Sequence, residues 1–173
     1  MKKGFTLMEM LAVLLLVTLL MSLALPVYRS IRFEMRRSQA EQAAVKMAEA
    51  MRSFYVQTKG GLIVSGVNPL YPADPDTADS SDIMAAPAGT CTSRIASGIP
   101  SYGSATFGIE QLFACGFLSY KDFQLLPYKF HANGASDPLV TVVGQPGSGK
   151  YENVTFCVRK NMTIQEGGNC SGS

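Results

Sequence analysis

A single carboxylate, Glu9, interrupts a run that is otherwise apolar from Phe5 to Val27. A charged side chain at the centre of a membrane helix costs about 2.5 to 3.5 kcal/mol on insertion scales, and less near an end, so it calls for a partner. A partner can be named. If the chain is cut after Gly4, the new α-amine belongs to Phe5, one helical turn from Glu9.

Other residue patterns could do chemistry, and each has a plainer reading. Gly144-Gln145-Pro146-Gly147-Ser148-Gly149-Lys150 has most of a phosphate-binding loop, but Tyr151 stands where Ser or Thr should hold magnesium. Such a loop also leads into a helix, whereas Tyr151 to Phe156 reads as a strand, so a Gly-rich hairpin turn is expected. Asp74, Asp76, Asp79 and Asp82 cluster in a proline-rich stretch. The EF-hand spacing, with its central Gly and terminal Glu, is missing, so this is expected to be a solvated acidic loop. His131 is the only histidine, and the cysteines Cys91, Cys115, Cys157 and Cys170 form no CxxC pair, so no zinc pattern is present. Three Asn-x-Ser/Thr triplets, at Asn153, Asn161 and Asn169, carry no information here. No catalytic constellation, metal site or cofactor is expected.

The stretch Gly4-Phe5-Thr6-Leu7-Met8-Glu9-Met10-Leu11, behind the basic Lys2-Lys3, resembles the class III signal of type IV pilins and of the pseudopilins of type II secretion. The resemblance covers roughly the first third of the chain. It implies cleavage by a prepilin peptidase between Gly4 and Phe5, and methylation of the Phe5 amine. It also implies that Glu9 pairs with the Phe5 amine of a neighbouring subunit in a helical filament of this chain and related pilins. An inner-membrane platform with a separate ATPase would drive assembly, and lipid would hold the subunit beforehand.

The elements that must position these residues follow from hydrophobic pattern. The apolar run from Phe5 to Val27 makes a helix about 34 Å long, enough for a bilayer core of about 30 Å. An ordinary signal peptide removed whole would need a small-residue cleavage pattern after the run, and the strongly helical sequence continues instead. Pro26 removes a backbone donor inside this helix, so a kink or local melting is expected there. From Tyr28 to about Thr58, Ala40, Ala44, Met47, Met51 and Phe54 recur on one face, and Gly60-Gly61 is a stop signal. Gly108 to Gly116 reads as a short helix. Tyr128–Ala132, Leu139–Val143 and Asn153–Arg159 read as an antiparallel meander, one face of which would cover the Ala40–Phe54 stripe.

The expected organisation is a leader over 1–4, a transmembrane half-helix over 5–27, an amphipathic half-helix over 28–59 and an α+β head over 60–173. The expected fold is α+β and pilin-like: one long N-terminal helix packed on a small antiparallel sheet. With 15 basic and 13 acidic residues, two of the basic ones in the leader, the charge balance gives no reason to expect nucleic acid as a partner. Four cysteines beyond the apolar run allow three connectivities, and an oxidising compartment suits two disulfides. The favoured pairing is Cys91–Cys115, which would pin the acidic loop to the short helix, with Cys157–Cys170, a tail staple common in pilin heads. The expected function is a polymerising pilin. It would sit in the inner membrane by a single pass with an exported head, then in an extracellular pilus. The alternatives are a pseudopilin of a periplasmic pseudopilus and a membrane-tethered exported binding domain or enzyme that never polymerises.

Overall fold

Leu, Val, Met and Ala dominate the chain from Leu7, and good helix formers continue through Ala50, so one long helix is the outcome. In the computed structural model, which describes residues 7–64, 66–67, 91, 106–123 and 126–170, helix α1 spans Leu7–Gln57, 51 residues. Pro26 lies inside it, and the helix runs through that position. The chain divides into two units, Met1–Met35 and Arg36–Ser173. Unit one is the apolar part of α1; unit two holds the rest of the helix and the head.

The end of α1 is closed by its own sequence. The Thr58 hydroxyl donates to the Phe54 carbonyl at 2.7 Å and accepts the Gly61 N–H at 3.0 Å. The Gly60 N–H reaches back to the Tyr55 carbonyl at 3.0 Å, satisfying one of the orphan acceptors of the last turn. Gly60 has φ 115°, a conformation that only glycine adopts without strain.

The second unit is a helix face on a sheet. A five-stranded antiparallel sheet has the order β2 (Gly66–Val67), β4 (Tyr128–Ala132), β5 (Val140–Gly144), β6 (Thr155–Val158), β7 (Ile164–Glu166). A separate parallel pair joins β1 (Leu62–Ile63) to β3 (Thr106–Phe107). A short helix, α2, covers Glu110–Ala114. In the central register Phe130 faces Val142, and Val142 faces Phe156. These residues, with Tyr128, Val140 and Val158, form one buried cluster with Ala40, Ala44, Met47, Met51 and Phe54 of α1. The alanines keep the helix surface low, and Phe54 fills the far end, edge-on to Phe107 at 5.4 Å and to Phe117 at 5.7 Å.

Two details differ from the sequence expectation. The third strand starts at Thr155 rather than Asn153, because Gly149–Tyr151 forms a 3-10 turn first. That turn brings the Tyr151 carbonyl against Gly144, where any Cβ would collide with it. Strand β7 was not expected from sequence. Its residues Ile164, Gln165 and Glu166 are all exposed, so it has no apolar alternation to read.

One buried group is costly. Tyr120 is buried beside Phe113, and its hydroxyl has no hydrogen-bond partner among the described residues. Desolvation raises its pKa above the ordinary phenol range. The fold therefore favours the neutral form, and that contribution is present below the unfolded pKa of about 10 and lost as pH rises through the folded value. Tyr120→Phe should leave the head folded and raise its stability by about 1 kcal/mol at neutral pH. It should also remove part of the loss of stability above pH about 10. Urea unfolding across that pH range checks both; a loss of more than about 2 kcal/mol would mean that the hydroxyl is bonded after all.

Candidate functional site

The first unit is a surface before it is a site. Every large apolar side chain from Leu7 to Val27 is exposed, with Leu7 at 80% and Leu25 at 58%. The most apolar 18-residue stretch has mean hydropathy 2.6 and none of it is buried by the rest of the chain. This helix is long and apolar enough to cross a membrane.

The polar atoms on that surface behave in two ways. The Thr18 hydroxyl donates to the Leu15 carbonyl at 2.9 Å and the Ser22 hydroxyl to the Leu19 carbonyl at 2.8 Å. Both are satisfied within the helix and need nothing from outside it. Glu9 is the exception in kind, a carboxylate exposed on the first described turn and surrounded in sequence by Leu7, Met8, Met10 and Leu11. Gly4 and Phe5 lie outside the described residues. Just past the apolar run, the guanidinium of Arg32 lies over the Tyr28 ring, 5.6 Å from its centroid, and Arg29 is exposed.

In the second unit, charged groups hold the helix to the head. Arg37 donates to Glu41 at 3.1 Å and also pairs with Glu166 on β7. Lys46 meets Asp122 at 3.2 Å, and Arg52 donates to the Lys160 carbonyl. Exposed pairs of this kind contribute about 0.2 to 1 kcal/mol each, so they orient more than they stabilise.

The phosphate-loop-like segment is committed to the sheet. The Gln145 side-chain amide donates to the Leu126 carbonyl at 3.4 Å and the Tyr128 carbonyl at 3.3 Å, and the Gln145 N–H donates to Pro127. The Ser148 hydroxyl and N–H both donate to the Gln145 carbonyl. These donors are turned inward, and no helix follows that could face a phosphate. His131 is exposed on β4, opposite Thr141. Among the described residues no group of three or more His, Cys, Asp or Glu could hold a metal ion. The acidic positions Asp74, Asp76, Asp79 and Asp82 lie outside the described residues.

Cys91 is bonded to Cys115, directly after α2, with Cα atoms 4.7 Å apart, and Cys157 to Cys170, with Cα atoms 5.5 Å apart. The second bridge accounts for a feature of β6. Phe156 and Val158 face the core, so Cys157 points to the opposite side, yet it too is fully buried. The 3-10 turn Gly167–Cys170 folds over it there.

A shallow groove of about 430 Å³ on the head, lined by Met51, Tyr55, Val56, Leu62, Ile63 and Leu139 among others, was not anticipated. Its trace in the sequence is Tyr55-Val56, apolar residues that fall off the Ala40–Phe54 stripe and are left exposed. Comparison with family models, with curated proteins and with solved structures gives no match.

The Cys157–Cys170 bridge closes a loop with sequence separation 13. Loop-closure entropy for that size corresponds to about 3 kcal/mol. Cys157→Ala with Cys170→Ala should lower head stability by that order and expose β7 to faster amide exchange, while Cys91–Cys115 stays intact. Unchanged exchange at Ile164–Glu166 would mean that β7 is held by its ladder and by Arg37 alone.

Proposed function

We propose that this chain is a structural filament subunit, a type IV pilin that polymerises through the apolar half of α1. The observation that carries the reading is Glu9: a carboxylate on an uncovered apolar helix, five residues after a Gly–Phe junction with a basic leader. A simple anchor gains nothing from such a residue, and a packing helix gains a fixed register from it.

In this reading lipid holds the precursor in the inner membrane through the apolar half-helix. A prepilin peptidase removes Met1 to Gly4, and the Phe5 amine is methylated. The head folds outside as an α+β unit. An assembly platform, driven by a separate ATPase, then moves the subunit from lipid into a filament core of like helices, in a pilus at the cell surface.

In that core the Glu9 carboxylate faces the Phe5 ammonium of a neighbour. Opposite charges 4 Å apart attract by about 4 kcal/mol at an effective dielectric constant of about 20. Desolvation offsets much of this, so the pair fixes which arrangement forms more than it deepens it.

Processing gives the first test. Intact mass of the mature protein should show loss of Met1 to Gly4 and one added methyl group, located on Phe5 by fragmentation. A mature chain beginning at Met1, or beyond Val27, would refute the proposal. Assembly gives the second. Glu9→Leu makes the span more apolar, so insertion should persist while the yield of sheared filaments falls at least about tenfold, the ratio that follows from losing about 1.4 kcal/mol. Wild-type yield and morphology from that variant would rule out the pairing.

A further inference from the structure

We infer that Tyr28, Arg29 and Arg32 form a collar that binds the phosphate of anionic phospholipid headgroups on the exported side of the bilayer. This rests on the membrane-span reading of the proposed function and adds a partner to it. Three observations support it.

The first is depth. The apolar run ends at Val27, and a helix rises 1.5 Å per residue, which sets Arg29 about 3 Å and Arg32 about 7.5 Å beyond it along the axis. Bilayers are about 30 Å thick in hydrocarbon and about 40 to 45 Å with headgroups, which leaves a polar layer of roughly 5 to 7 Å on each side. Both arginines fall within or at the edge of that layer when the apolar run fills the hydrocarbon.

The second is charge placement. At about 100° per residue, Arg29 and Arg32 lie about 60° apart and share one face of the helix. Glu34, the nearest acidic residue in sequence, lies about 140° round from Arg29, on the other side. The face is therefore cationic, and Arg29 is exposed on it. Guanidinium groups bind phosphate oxygens in a planar, two-pronged geometry that ammonium groups lack.

The third is the aromatic neighbour. Arg32 lies across the Tyr28 ring at 5.6 Å, and Tyr28 itself is exposed. Tyrosine prefers the headgroup level, where its ring is half in hydrocarbon and its hydroxyl is wet. The contact places the Arg32 guanidinium beside the ring, at the level where Tyr28 is expected to sit. The collar also stands on the side that would carry fewer cations in an ordinary membrane protein, since basic residues favour the cytoplasmic flank. An anionic leaflet surface offsets that disadvantage, at about fivefold in association for each basic residue near it.

The test uses the full-length chain reconstituted in phosphatidylcholine bilayers with spin-labelled phosphatidylglycerol or spin-labelled phosphatidylcholine. The motionally restricted fraction reports lipid held at the protein. Phosphatidylglycerol should be preferred about fivefold, and the preference should fall in Arg29→Gln/Arg32→Gln and persist in Arg29→Lys/Arg32→Lys. Equal selectivity in the wild type and the double glutamine variant would overturn the collar, as would a wild type with no preference. Inorganic phosphate at 10 mM (about ten times a weak, millimolar affinity) should not displace the lipid, and displacement would reassign the arginines to a soluble anion. A chain that fails to insert would overturn the span and the collar together. Lipid preference in a chain left uncut at Gly4 would refute the filament proposal and leave the collar standing.

Discussion

The chain carries an apolar surface that its own residues do not cover. Fully burying a Leu, Val or Met side chain is worth about 1.5 to 3 kcal/mol. From Leu7 to Val27 the exposed large side chains come one after another, so their sum reaches tens of kcal/mol. Whole domains are stable by only about 5 to 15 kcal/mol. No arrangement within this head could offset such exposure to water, so the first unit requires lipid or other apolar helices at every stage. That requirement explains why α1 changes character along its length. Its early part is apolar on every side because its surroundings are apolar on every side, and from Ala40 onward it carries a single stripe because a sheet lies on one side and water on the other.

The head is built to hold that second stripe with little material. Five short strands, one of them two residues long, bury one face on Ala40–Phe54, and the aromatic rings of Phe54, Phe107, Phe117, Phe123 and Phe130 meet edge to face across the core. A small sheet leaves its outer strands weakly held. Strand β7 buries no side chain. It is retained by its ladder to β6, by Arg37 across to Glu166, and by the bridge from Cys157 to Cys170 just beyond it. Covalent closure stands in for apolar burial where the core is too small to reach.

What could be read from the sequence follows the same division. The Ala40–Phe54 stripe, the stop at Gly60-Gly61 and the strand Tyr128–Ala132 were legible because each is specified by local pattern: period near 3.6, a glycine at a helix end, alternation at period 2. Strand β7 and the parallel pair of Leu62–Ile63 with Thr106–Phe107 were not legible. Each is two or three residues long, and each is a strand only because a distant segment supplies its hydrogen bonds. The Tyr151 region was misplaced for a related reason. Tyr151 and Val154 are strand-favouring types, but Gly149 takes φ 63° and turns the chain into a 3-10 loop first. Of the proposed site, Glu9 could be singled out from type and context alone. The groove at Tyr55 and Leu62 could not, because its two walls lie on either side of the helix end and meet only once the turn has formed.

An apolar helix is a poor device for choosing a position, and this gives Glu9 its meaning in the proposed filament. Contacts among Leu, Val and Met are non-directional, and sliding one helix past another by a turn of about 5.4 Å replaces one set of apolar contacts with a similar one. Within a membrane the difference is smaller still, since lipid tails are as apolar as leucine. A carboxylate and an ammonium behave differently, because displacement by one turn separates them and leaves two charges in a medium that solvates neither. One ion pair can therefore select among registers that the apolar surface alone would leave nearly equal in energy. Thr18 and Ser22 cannot serve in this way, because each hydroxyl is already satisfied by its own helix. The single residue that is expensive to bury is thus the one able to give an otherwise featureless surface a defined geometry.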